Sequence, residues 1–141
     1  MPTFEPIFLT VDEVVEIHHD QIDLYGGSHG LRDRGVLESA VATPAATFGG
    51  EYLHASIPQI AAAYLYHLCQ GHAFIDGNKR VGTEAAITFL GMNDWELTLE
   101  PDELTALVLG VASGVVTKAK LTSTFEDRCR PLSPIGDQPS R

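Results

Sequence analysis

Between His72 and Arg80 the chain reads HAFIDGNKR, which places a histidine, an aspartate, an asparagine, a lysine and an arginine within nine residues. Each of these side chains has a chemical use in that company. A histidine such as His72 can act as a general base near neutral pH. Asp76 is a hard oxygen ligand suited to Mg²⁺, which commonly binds one or two carboxylates together with substrate phosphates. Asn78 and Lys79 open a helical pattern, and the unpaired N–H groups and positive dipole of a helix start attract anions. Gly77 lets a ligand approach the backbone. Arg80 offers a planar fork for phosphate, and Lys79 a point charge. Together these residues describe a phosphate-plus-metal site with a base beside it, the equipment of phosphoryl or nucleotidyl transfer. Taken singly, each has a plainer reading: Asp76 as a helix cap, His72 as a structural histidine, Lys79 and Arg80 as a solvated face. Phe74 reads as an aromatic anchor that pins the stretch to the core.

These residues need elements to hold them, and the apolar pattern supplies a series of short helices. The first runs from Thr10 to about Tyr25, with Thr10 and Glu13 as a capping box. The sequence YGGSHG breaks it, and Asp33 is positioned to cap a second helix reaching about Ala42. From Thr43 to Ser56 there is no helical period; a loop or a two-stranded flap turning at Gly49-Gly50 is expected. Ser56 and Gln59 suggest a second capping box, opening an apolar central helix that ends at Gly71. A fourth helix is expected over Asn78 to Leu90, a short strand over Trp95 to Leu99, a fifth helix over Pro101 to Ser113 and a sixth over Thr117 to Glu126. The expected fold class is all-α, with the folded domain over residues 4–127. The proline-rich stretch 128–141 is expected to be a disordered tail.

Composition narrows the chemistry further. A chain of 141 residues forms one domain with a sufficient core. Its net charge of −10, with only nine Lys and Arg, disfavours nucleic acid, so the paired cations at 79 and 80 suggest a small anion in a pocket. The N-terminus has no signal-peptide pattern, and no apolar run is long enough to span a membrane. Cys69 and Cys129 lack metal-ligand spacing, which suits a reducing cytoplasm.

The ordered motif HAFIDGNKR resembles the signature of the Fic superfamily, His-x-Phe-x-(Asp/Glu)-Gly-Asn-Gly-Arg-x-x-Arg, and in particular its death-on-curing (Doc) branch. Lys79 stands in place of the second glycine and Thr83 in place of the trailing arginine, both as in Doc proteins. The segments TVDEVVEIHHDQIDLYGGSHGLRDRGVLESAV, AAAYLYHLCQGHAFIDGNKR and VLGVASG resemble the same branch, so the likeness covers roughly Leu9 to Phe125.

The resemblance implies a compact bundle of about six helices with a flap or hairpin between the second and third. It implies ATP and Mg²⁺ as cofactors, His72 as the base that deprotonates a target hydroxyl, and Asp76 as the metal ligand. Gly77, Asn78, Lys79 and Arg80 are implied to hold the nucleotide phosphates. Fic enzymes transfer AMP to a protein hydroxyl. In the Doc branch the lysine fills the space of the α-phosphate, so that ATP binds reversed and the γ-phosphate is transferred. The implied function is that of a toxin from a toxin–antitoxin module, a cytoplasmic protein kinase acting on elongation factor Tu or a similar translation factor. A cognate antitoxin is the implied restraint, since no inhibitory Ser/Thr-x-x-x-Glu-Gly/Asn helix is evident. Protein adenylyltransfer and a non-catalytic binding module are the alternatives; Gly77 is shared with AMP-transferring relatives.

Three further features carry possible chemistry. His18, His19, His29, His54 and His67 suggest a metal cluster, but adjacent histidines face different sides of a helix and no Cys or acidic spacing completes a zinc site. Arg32 and Arg34 could reach the phosphates, although a cap-and-solvent reading around Asp33 is simpler. The flap could pair with an extended target by strand addition.

Overall fold

The computed structural model describes residues 4–132. Six helices carry the fold: α1 (Val11–Tyr25), α2 (Arg34–Ala42), α3 (Ile57–Gly71), α4 (Asn78–Met92), α5 (Pro101–Ala112) and α6 (Lys118–Arg128). Among the described residues, a 3-10 turn (Thr43–Ala45) and four strands of two or three residues complete it: β1 (Thr47–Phe48), β2 (Glu51–Tyr52), β3 (Trp95–Leu97) and β4 (Cys129–Pro131). The fold is all-α, with the strands confined to two small antiparallel pairs, β1–β2 and β3–β4.

Helix α3 runs through the middle because it is apolar nearly all round: Ile57, Pro58, the run from Ile60 to Leu65, Leu68 and Cys69 are buried. It packs most extensively on α4, with α2, α5 and α6 around it. Small residues, Ala61 and Ala62 on α3 and Ala85 and Ala86 on α4, are buried in one common core with Tyr64, Phe89 and Phe125. Helix α1 crosses α4 from the other side through Val14, His18 and Ile22.

The local signals act largely as expected. The Thr10 hydroxyl accepts from the Glu13 N–H while the Glu13 carboxylate accepts from the Thr10 N–H. Asp33 caps α2 through the Val36 N–H. At α3 the box is incomplete: Ser56 accepts from the Gln59 N–H, but the Gln59 carbonyl oxygen turns back one residue further, to the Ala55 N–H. The flap is a β1–β2 hairpin whose turn residues Gly49 and Gly50 both have positive φ, as a tight two-residue hairpin turn requires.

Two expectations need correction. The central helix ends at Gly71, yet the left-handed residue that terminates it is His72, at φ 52° and ψ 42°. The expected tail also begins too early. Residue 128 still lies in α6, and Cys129–Pro131 pairs with Trp95–Leu97 in register Trp95↔Pro131. An isolated strand 95–97 would leave its backbone groups unpaired, and the residues after α6 supply the partner. Cys129 is buried there, and Arg128 anchors the corner through Glu103 and the Thr98 carbonyl. The remainder of the expected tail, residues 133–141, lies outside the described residues.

Candidate active site

The connection from α3 to α4 is a short loop held on three sides. Across it, Leu31 and Phe74 form an isolated antiparallel bridge. The N–H groups of Arg32 and Asp33 both donate to the Ala73 carbonyl, and Ile75 N–H donates to Gly30. Arg32 also donates its Nε to the His72 carbonyl at 2.6 Å. Arg32 thus satisfies the backbone at the end of α3, while Arg34 pairs with Glu38 along its own helix.

Beneath the loop, Phe74 is buried and stacks on the His18 ring, with centroids 3.8 Å apart and planes 8° from parallel. His18 Nε2 lies 2.7 Å from the Asp76 carbonyl oxygen. Because a carbonyl only accepts, Nε2 carries the proton. Burial lowers the His18 pKa, an effect partly offset by this hydrogen bond and reinforced by nearby His29 and Arg80. The neutral ring is therefore a fixed support under the loop.

Asn78, expected among the phosphate-holding residues, spends its side chain on the same loop. Its Oδ1 accepts from the Phe74 N–H and its Nδ2 donates to the Phe74 carbonyl, at 3.1 and 2.9 Å. What it still offers a ligand is its backbone N–H at the helix start.

Asp76 is exposed, with its carboxylate aligned by two backbone donors. Gly77 N–H reaches Oδ1 at 2.8 Å and Ser28 N–H reaches Oδ2 at 3.1 Å. These two bonds, first Ser28 and then Gly77, hold its pKa below the usual carboxylate value, with further help from the Arg80 charge. The group is ionised, exposed, and keeps lone pairs for a cation. A single such carboxylate fits Mg²⁺ held jointly with substrate phosphates. Close approach at this point requires glycine in the α1–α2 loop: a Cβ on Gly27, at φ +117°, would lie 2.7 Å from Asp76 Oδ2 and 3.1 Å from Arg80 Nη2. Asp76 and Arg80 therefore converge on one point.

Helix α4 starts at Gly77, a left-handed N-cap at φ 78° with no side-chain cap. A Cβ there would point inward, 3.1 Å from Ile22 and 3.5 Å from His18 Nε2, so packing as well as conformation calls for glycine. The first N–H groups of the helix have no intrahelical partner. No acidic residue stands in its first turn; Lys79 and Arg80 do. Cations at the positive end of a helix dipole are unfavourable unless an anion sits between them. Lys79, Arg80 and Thr83 line one cleft with Gln21, Glu84, Leu104 and Val108, and Arg80 is steadied by donating to the Gln21 carbonyl. The Thr83 hydroxyl donates back to the Lys79 carbonyl, so that position contributes no charge.

His72 lies at the loop's outer end. It is exposed, its backbone is left-handed, and its imidazole makes no hydrogen bond among the described residues. A non-glycine residue at positive φ carries strain of about 1–2 kcal/mol and persists only where surrounding contacts enforce it. Here Arg32 on the His72 carbonyl and the Ala73 bonds enforce it. The side chain is thereby held exposed to solvent.

Two features of this arrangement escaped sequence reasoning. His18 looked like one of several scattered histidines, and only its burial reveals the support role. The α1–α2 loop looked like a break; its Gly-Gly-Ser run is the signal that could have marked a close backbone approach.

A model of the Fic/DOC family matches residues 8–90, which include α1, the flap, α3 and most of α4. The chain is 29% identical over 117 residues to the protein kinase doc of Escherichia phage P1, covering 83% of this chain and 91% of the phage protein. It is 42% identical over 78 residues to the toxin Doc of Mycolicibacterium smegmatis, covering 55% of this chain and 60% of that relative. With the family match spanning more than half of the chain and the motif seated between α3 and α4, the protein belongs to the Fic/DOC family, on its Doc branch.

Proposed function

We propose that the chain is a Doc-type toxin that works as a Mg²⁺- and ATP-dependent protein kinase. It transfers the γ-phosphate to a hydroxyl of a translation factor similar to elongation factor Tu, arresting growth until a cognate antitoxin restrains it. The observation that carries this reading is the start of α4: an uncapped helix N-terminus bearing Lys79 and Arg80, with ionised Asp76 beside it. A helix end built this way is stabilised by an anion, and a phosphate chain is the anion that also employs Asp76.

In this reading the backbone N–H groups of Asn78, Lys79 and Arg80 receive phosphate oxygens, and Arg80 adds its fork. Asp76 is the protein ligand for Mg²⁺, whose contribution when bound is to neutralise phosphate charge. His72 accepts the proton of the target hydroxyl as its oxygen bonds to the γ-phosphorus. The bond from that phosphorus to the β–γ bridging oxygen breaks, and ADP leaves with the electron pair. Lys79 fills the space at the helix start that an α-phosphate would take in the opposite orientation. The phage relative's designation as a protein kinase supports transfer of phosphate.

The test is ATP labelled at the α- or the γ-phosphorus, supplied with Mg²⁺ and elongation factor Tu. The wild type is expected to transfer only the γ-label. Lys79→Gly, which frees the helix start, is expected to reduce γ-transfer and gain at most weak α-transfer, because Thr83 supplies no further cation. Incorporation of the α-label by the wild type would instead identify an adenylyltransferase.

A further inference from the structure

At its other end, helix α1 shows the opposite electrostatic fault to the start of α4. Its last turn carries no basic residue, although the dipole there is negative, and Asp23 adds another negative charge. Around that aspartate two histidines converge, so Asp23, four residues after His19, supplies the acidic partner that the spacing of the histidines did not suggest. His19, one turn back on the same face, places Nδ1 3.2 Å from Asp23 Oδ2. His29, folded back by the α1–α2 loop, places Nε2 2.9 Å from Asp23 Oδ1. The two rings lie 4.6 Å apart.

We propose that His19, Asp23 and His29 form a binding site for a divalent transition-metal ion of the zinc class. One ligand atom from each residue lies within 4.8 Å of the other two. Tetrahedral ligands about 2.0–2.1 Å from a Zn²⁺ ion stand about 3.3 Å apart. His19 and His29 approach different oxygens of the one carboxylate, at 3.2 and 2.9 Å, so small side-chain rotations bring one atom from each residue to that spacing. Two imidazoles and a carboxylate select a borderline metal over Mg²⁺, which prefers oxygen. All three side chains are about half exposed, so further positions are open to water. The ion would also supply the positive charge that the end of α1 lacks.

The site is separate from Asp76 but mechanically joined to it. His29 follows Ser28, whose N–H holds Asp76 Oδ2. An ion bridging α1 and the loop therefore braces the cradle in which Asp76 sits. Metal and protons compete for the same imidazole nitrogens, so binding weakens on acidification.

The experiment is calorimetric titration of the full, untagged chain with Zn²⁺ in a non-chelating buffer at neutral pH, paired with thermal unfolding. The wild type is expected to take up one equivalent saturably and to unfold at a higher temperature with Zn²⁺ present. Millimolar Mg²⁺ is expected to leave this uptake unchanged. His19→Ala, His29→Ala and Asp23→Asn are each expected to weaken it at least about tenfold, the loss seen when only outer partners of a metal ligand are removed. Circular dichroism verifies that these exposed substitutions leave the fold intact. Unchanged Zn²⁺ uptake in the double variant His19→Ala/His29→Ala would overturn the proposal, as would loss of uptake in His72→Ala or absence of saturable binding to the wild type.

Discussion

The starts of α1 and α4 face the same physical problem and solve it in opposite ways. At α1, Thr10 and Glu13 satisfy each other's backbone donors, and Asp12 and Glu13 oppose the positive dipole end. Helix α5 repeats the solution with Glu100, Asp102 and Glu103. At α4 the cap is a glycine without a side chain, and the first turn carries Lys79 and Arg80. Every choice that stabilises α1 is reversed at α4. A helix end completed by its own residues has no room for a ligand; one left with bare N–H groups and surplus positive charge has the donors and the charge to receive an anion.

This contrast can be broken most severely at His72. His72→Ala is expected to reduce phosphate transfer about 10²–10⁴-fold, as removal of a positioned base does. Because His72 occupies a left-handed position, His72→Gly is expected to be equally inactive yet about 1 kcal/mol more stable. Denaturant midpoints and turnover, measured on the same preparations, test both halves. A glycine variant less stable than wild type would mean that the imidazole contributes to the fold after all.

Charge reversal at the start of α4 comes next. Lys79→Glu gives α4 the acidic first turn of α1, so the free protein is expected to gain about 0.3–1 kcal/mol while ATP binding falls sharply. Calorimetry with Mg²⁺ and ATP measures the second effect. Retained nucleotide affinity would show that this end of α4 is not an anion site. The converse change, Thr10→Ala at α1, is expected to cost about 1 kcal/mol of stability and leave turnover unaltered. A loss of activity beyond the loss of folded protein would erase the distinction between the two helix ends.

The smallest effect concerns pH. Burial depresses the pKa of His18 from its unfolded value, so the folded state holds the ring neutral. The unfolded chain then binds the extra proton first, and stability is complete above about pH 6.5 and falls as pH drops through the lowered native value. His54 and His67 shift the same way, His67 to about 4, and add to the slope. His18→Gln, which can still donate to the Asp76 carbonyl but cannot titrate, is expected to flatten the stability profile between pH 7 and 5. An unchanged slope would assign the acid sensitivity wholly to His54 and His67.

Much of this was legible in the chain itself. Thr10 and Asp33 announced their helices because a cap is a contact between residues three apart, and such contacts are written locally. The hairpin at Gly49-Gly50 was one of the two forms, loop or flap, that its glycines allowed. Ser56 and Gln59 were only half right, since Gln59 found the Ala55 N–H instead. The placement of His72, Asp76, Lys79 and Arg80 on one loop and one helix turn was equally readable, because all four lie within nine residues.

What tertiary structure alone decided are the contacts between residues far apart in the chain. Nothing near residue 18 says that its ring will lie under Phe74 and hold the Asp76 carbonyl, 58 positions away. Nor does the sequence around 128–131 show a strand, because its partner lies at 95–97. His29 meets Asp23 only because the loop between them turns back over α1. The order of residues set the local chemistry: which helix starts are capped and which are charged. The packing of α1, α3 and α4 decided which side chains support that chemistry, because a burial or a long-range hydrogen bond exists only once both partners have been brought together.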